Sequence, residues 1–68
     1  MRVLLNGTEQ ELEDGVTVAA LVERCTGDPN RRGIAVALDA EVLPRSAWEE
    51  TELSDGQAVE LVAAIQGG

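Results

Sequence analysis

The sequence predicts an α+β domain in which a mixed sheet of about five strands packs on one main helix. Short apolar segments bounded by turn residues occur at both ends of the chain and in its middle, as is typical of strands. Residues 18–25 instead have the three- and four-residue apolar spacing of a helix. A chain of 68 residues has room for one modest core, and one sheet on one helix is the economical way to enclose it.

The first element predicted is a β-hairpin. An apolar run at residues 3–5 ends at Asn6-Gly7, a pair that strongly favours a two-residue hairpin turn. Residues 8–12 alternate well enough to form the returning strand, and Asp14-Gly15 closes it.

The helix follows, with Thr17 as its N-cap and Gly27 as its C-cap. Its predicted buried stripe consists of Val18, Leu21, Val22 and Cys25. Because Cys25 lies on that stripe, we expect its thiol to be buried and inert.

The second half of the chain predicts three more strands. Residues 34–38 have the larger side chains on alternate positions, as in a central strand, and residues 41–43 form a short edge strand stopped by Pro44. Residues 58–65 form the last strand, which we expect to lie parallel to the first at the centre of the sheet.

One short helical turn is predicted between these strands. Ser46 and Glu49 have the spacing of a capping box, which indicates a turn that starts at Ser46 and carries Trp48. We expect Trp48 to cover the core and not to serve as a binding platform.

Composition excludes several classes of function. Thirteen acidic residues against five basic ones give a net charge of -8, which disfavours nucleic acid and anionic membrane surfaces as partners. The chain has no His, so self-contained acid–base catalysis and the usual zinc sites are not expected. A single Cys and no long apolar run or signal peptide indicate a soluble, cytoplasmic domain.

The end of the chain is the strongest functional signal. Gly67 and Gly68 have no packing role, but two residues without side chains can thread a narrow channel. Such a tail brings a terminal carboxylate to the catalytic centre of another protein. We therefore divide the chain into a domain at residues 1–65 and a flexible tail at residues 66–68.

A partner surface is expected beside this tail. If Val59, Leu61 and Ala63 face the helix, alternation places the candidate surface residues on the outer side of the last strand: Glu60, Val62 and Ala64.

The element order and the diglycine end resemble the ubiquitin-like β-grasp superfamily over the whole chain. More narrowly, the chain resembles the ThiS family of sulfur carriers in thiazole formation for thiamine. This resemblance lies in Asn6-Gly7, Val42-Leu43-Pro44-Arg45 followed by Trp48, Leu53-x-Asp55-Gly56 and Val59-Glu60-Leu61.

The resemblance implies a sulfur-transfer cycle at Gly68. A ThiF-like adenylating enzyme uses Mg-ATP to activate the Gly68 carboxylate, while Gly67 and Gln66 thread into that partner. Sulfur from a donor such as a cysteine desulfurase persulfide then gives a thiocarboxylate, which a ThiG-like thiazole synthase consumes. The chain is a substrate of these enzymes, binds no cofactor of its own and is not an enzyme.

Other functions remain open from the sequence. A second carrier of the same superfamily, such as the small subunit of molybdopterin synthase, shares the fold and tail. A ubiquitin-like protein modifier is a further alternative, although a chain with no Lys cannot polymerise through its own side chains. A β-grasp binding module whose glycines are incidental ranks below these, and an enzyme in its own right ranks last.

Overall fold

A computed structural model describes residues 1–27 and 33–63 of the chain. The elements follow the predicted order: β1 (Arg2–Leu5), β2 (Thr8–Glu11), α1 (Val18–Thr26), β3 (Ile34–Leu38), β4 (Glu41–Leu43), a 3₁₀ turn (Arg45–Ala47) and β5 (Ala58–Ala63). The structure does not describe residues 64–65 of the predicted last strand or the predicted tail at residues 66–68.

The sheet has five strands in the order β2-β1-β5-β3-β4. β1 and β5 run parallel in the register Leu4↔Ala58, and the other neighbouring strands are antiparallel. The prediction of a parallel pairing between the first and last strands is thus confirmed, as is the edge position of β4. The last strand lies in the middle of the sheet, so its two sides are held by β1 and β3.

Two tight turns share a left-handed backbone. Asn6 and Gly7 have φ of 50° and 84°, the combination that a type I′ hairpin turn requires. Asp39 and Ala40, with φ of 48° and 72°, turn the chain in the same hand between β3 and β4 without a glycine. Both turns adjoin β5 through hydrogen bonds.

Helix α1 begins and ends where its capping residues predict. The Thr17 hydroxyl oxygen accepts a hydrogen bond from the Ala20 N–H at 3.2 Å, and Gly27 takes the left-handed conformation with φ of 69°. The prediction of a buried Cys25 is wrong, because its side chain is exposed. Since residues 23–26 are all exposed, the last turn of the helix extends past the core, and Cys25 shares only the angular position of Val18.

The core lies between α1 and the inner face of the sheet, which is the face that carries Val3, Val36 and Val59. The largest side chain in it is Trp48, which is 2% exposed, and its indole N–H donates to the Leu43 carbonyl at 3.2 Å. This burial confirms that Trp48 belongs to the core.

The short turn that carries Trp48 starts one residue earlier than predicted. Pro44 is its N-cap and no side chain caps it, so the capping-box interpretation of Ser46 is wrong. Pro44 has an extended backbone, with φ of -61° and ψ of 143°, and directly precedes the first residue of the turn. Trp48 stands at its end, donating its backbone N–H to the Arg45 carbonyl, while the Arg45 guanidinium lies 5.3 Å from the centre of the indole ring.

Candidate functional site

The predicted tail residues Gln66, Gly67 and Gly68, and Ala64 of the predicted partner surface, lie outside the described residues. The structure does place the strand that leads to them. β5 is the central strand, with β1 on one side and β3 on the other. The last described strand before the tail is therefore paired on both of its sides.

The outer face of the sheet, opposite α1, carries the other two predicted surface residues. In register, Glu60 lies opposite Ala37 and Val62 lies opposite Ala35, and side chains directly opposite each other share a face. Both Glu60 and Val62 are exposed, as expected. On the inner face Val59 is buried and Leu61 partly so, whereas Ala63 is exposed, so burial decreases along β5 toward the tail.

The outer face also carries two apolar residues that were not predicted from the sequence to lie there. Val42, in β4, lies opposite Ala37 and is 78% exposed, and Leu4, in β1, lies opposite Ala58 and is 41% exposed. Val62 is 60% exposed. We call the exposed apolar set on this face the outer patch: Leu4, Ala35, Val42 and Val62. Glu60 lies among these residues and adds a negative charge.

Charged residues occupy the β1–β2 side of the same face. Arg2 lies 3.8 Å from a carboxylate oxygen of Glu9 and 3.4 Å from one of Glu11. An open groove of about 480 Å³ runs over these side chains and Leu4. Among residues 1–27 and 33–63, no group of three His, Cys, Asp or Glu side chains is arranged to hold a metal ion. This face thus combines exposed apolar side chains with an ion-paired charged cluster at one side.

One ion pair lies away from this face and has a measurable consequence. The Arg24 guanidinium makes two contacts with the Glu13 carboxylate, at 2.7 and 2.8 Å, and this hydrogen bonding holds the pKa of Glu13 below its usual range. The stabilisation is thus present at neutral pH and is lost as the pH falls through that lowered pKa. We expect Arg24→Gln to raise the pKa of Glu13, measured by NMR titration of its side-chain carboxyl carbon. An unchanged titration would contradict the pairing.

No helix among the described residues has the length and apolar character needed to cross a membrane. That finding concerns residues 1–27 and 33–63 only.

Comparison with known proteins gives the same family from sequence and from structure. A family model described as the ThiS family matches residues 3–68. A sulfur carrier protein ThiS from Escherichia coli K12 is 31% identical, with full coverage of both chains. A crystal structure of a ThiS thiamine biosynthesis protein from Geobacter metallireducens superimposes with a TM-score of 0.80 at 28% identity and full coverage of both chains.

A further curated relative is much longer than this chain. A thiazole synthase from Paramagnetospirillum magneticum is 34% identical over all 68 residues, and the chain spans about a fifth (20%) of that protein's length.

Proposed function

Because the chain belongs to the ThiS family, we propose that it carries sulfur for thiazole formation as a thiocarboxylate on Gly68. The observation that carries the proposal is the full-length similarity to a protein named as a sulfur carrier. The β-grasp fold agrees with it, and the family match favours this carrier over the small-subunit type of molybdopterin synthase.

The proposed chemistry begins at the terminal carboxylate. A carboxylate oxygen attacks the α-phosphorus of Mg-ATP, pyrophosphate leaves, and an acyl adenylate forms on Gly68. The terminal sulfur of a protein persulfide then attacks the acyl carbon and expels AMP. A thiol cleaves the S–S bond of the resulting acyl disulfide, which leaves the thiocarboxylate on Gly68 and a disulfide between the thiol and the donor. Mg-ATP belongs to the adenylating enzyme, and the carrier contributes only its carboxylate.

Three partners follow from this proposal. A ThiF-like enzyme adenylates the tail, with Gln66 and Gly67 entering its active site. Gly67 and Gly68 suit a narrow channel there because they have no side chains. A cysteine desulfurase supplies the persulfide. A thiazole synthase accepts the sulfur, and this assignment is supported by the relative of that name that contains a segment similar to the whole chain.

We propose that the outer patch, together with Glu60, is the surface that these partners contact. Its exposed apolar side chains are contributed by four strands of one sheet face, including the strand that leads to the tail. Exposed apolar area of this kind is typical of interaction sites. We include Ala64 in the proposed surface on the sequence alternation alone.

Val62→Arg tests the outer patch. We expect about a tenfold lower kcat/KM for adenylation, because a charged side chain in the middle of an apolar contact costs about 1.4 kcal/mol or more. The melting temperature should change little, since Val62 is exposed. Thr8→Arg makes the same charge change on the edge strand β2 and serves as the control. Equal adenylation kinetics for Val62→Arg and wild type would contradict the patch.

ATP–pyrophosphate exchange tests the adenylation step. The wild-type chain should stimulate the exchange catalysed by an active ThiF-like enzyme, and a chain with one residue added after Gly68 should not. A binding module would tolerate the added residue. A protein modifier would pass the same test but would then appear as conjugates of higher mass.

A further inference from the structure

The Asn6 side chain makes two hydrogen bonds to the backbone of the last strand. Its amide oxygen accepts from the Leu61 N–H at 2.9 Å, and its amide nitrogen donates to the Leu61 carbonyl at 3.3 Å. Both ends of one amide group are thus used on a single residue of β5. Asn6 and Leu61 are 55 positions apart in the chain, so the contact joins the first turn to the strand before the tail.

These two side-chain bonds extend the hydrogen-bond pattern between β1 and β5 beyond the last backbone–backbone bond of the pair. The Leu4 N–H donates to the Gln57 carbonyl and the Asn6 N–H donates to the Val59 carbonyl, both at 2.9 Å. The next groups of β5 on that side are the N–H and carbonyl of Leu61. At Asn6 the chain turns away with φ of 50°, and the side-chain amide takes the place of the missing backbone groups. Asparagine suits this position because it tolerates positive φ and carries both a donor and an acceptor.

A related contact occurs on the other side of β5. The Asp39 N–H donates to the Ala58 carbonyl at 2.8 Å, and its carboxylate accepts from the Ala58 N–H at 3.0 Å. Asp39 also has positive φ at a tight turn. The difference lies in position, because Asp39 holds the beginning of β5 and Asn6 holds the part toward the tail.

We propose that Asn6 is a positioning residue, which fixes β5 at Leu61 so that the tail is presented to the adenylating enzyme in one direction. This inference rests on the proposed function, and Asn6 itself takes no part in the chemistry. Without its two bonds, the end of β5 has a backbone N–H and carbonyl that bond only to water on that side. The partner must then order the strand end when it binds, which weakens binding but leaves the bound state unchanged.

The test compares Asn6→Gly with Asp39→Gly. Glycine accepts positive φ at both turns, so each variant keeps its turn and loses only the side-chain bonds. We expect Asn6→Gly to raise the KM of the carrier in adenylation about fivefold with kcat unchanged, because exposed hydrogen bonds such as these two contribute modestly to the order of the strand. Asp39→Gly should leave KM within about twofold of wild type. Amide hydrogen exchange supplies an independent readout. The exchange rate of the Leu61 N–H should be at least about fivefold higher in Asn6→Gly than in wild type, and unchanged in Asp39→Gly.

Each outcome decides a different question. A wild-type chain that an active enzyme fails to adenylate contradicts the proposed function, and the positioning role falls with it. Normal wild-type adenylation with an unchanged KM for Asn6→Gly overturns only the positioning role. An equal rise in KM for both variants overturns it as well, since the effect is then one of general stability. An unchanged exchange rate of the Leu61 N–H in Asn6→Gly also overturns the positioning role, because the two bonds then do not hold the strand.

Discussion

Deleting Gly68 is expected to lower the rate of adenylation at least about a hundredfold. The deletion leaves a carboxylate on Gly67, but one residue of extended chain spans about 3.3–3.6 Å, so the reacting oxygen moves by that distance. A misplacement of about 1 Å can already cost a hundredfold in rate. The measurement is single-turnover formation of the acyl adenylate with an active ThiF-like enzyme and Mg-ATP.

The melting temperature of the shortened chain serves as the control for this deletion. The described core lies within residues 3–59, so the melting temperature of the shortened chain should equal that of wild type. A chain without Gly68 that reacts at a rate comparable to wild type would contradict the role of Gly68, because any terminal carboxylate would then suffice.

The second large effect concerns stability. Trp48→Ala is expected to lower the free energy of unfolding by about 3–5 kcal/mol, because it removes the largest fully buried side chain and leaves a cavity. A domain of this length has a total stability of about 3–10 kcal/mol. The melting temperature should fall by at least about 12 °C, and part of the population should be unfolded at physiological temperature. Circular dichroism is the appropriate probe, since the substitution removes the one aromatic residue of the chain.

Two variants separate the causes of that loss. Trp48→Phe keeps an aromatic side chain in the core but removes the indole N–H that bonds to the Leu43 carbonyl, so it should cost less than Trp48→Ala. Val42→Ala truncates an exposed apolar residue and should change the melting temperature by little. Equal stability of Trp48→Ala and Val42→Ala would contradict the assignment of Trp48 to the core.

The parts of the fold that sequence predicted correctly are specified by a few neighbouring residues. Asn6-Gly7 defines its turn through two positive φ angles, and Thr17 and Gly27 cap the helix with their own atoms. The parallel pairing of β1 with β5 is a long-range feature. It was predicted because the element order leaves long connections between the first and last strands, as parallel pairing needs.

The errors arise where local spacing does not determine distance from the core. Helical periodicity gives the angular position of Cys25 but not how far the sheet extends along the helix, so an exposed thiol was predicted to be buried. Ser46 and Glu49 have capping-box spacing, yet the turn starts one residue earlier, at Arg45, and has no side-chain cap. The exposure of Cys25 thus depends on the tertiary arrangement, whereas the start of the turn differs from the prediction within the local sequence.

The sequence predicted only those residues of the candidate surface that lie on a single strand. Alternation along one strand places Glu60 and Val62 on the outer face, and the sheet register confirms it. Val42 and Leu4 join them only through pairing with other strands, which one sequence does not specify. The bonds from Asn6 to Leu61 were not anticipated either, because they connect distant residues through a side chain.

Top-down mass spectrometry tests the central claim most directly. The chain is incubated with an active adenylating enzyme, Mg-ATP and a persulfide donor, and the intact protein is then fragmented. The proposal predicts that sulfur replaces one oxygen at Gly68, and that the change is absent when Gly68 is deleted. Fragmentation is essential, since oxidation of Met1, Cys25 or Trp48 adds nearly the same mass. Sulfur found at Cys25 instead, or an unmodified tail after incubation with an active enzyme, would contradict a carrier function at Gly68.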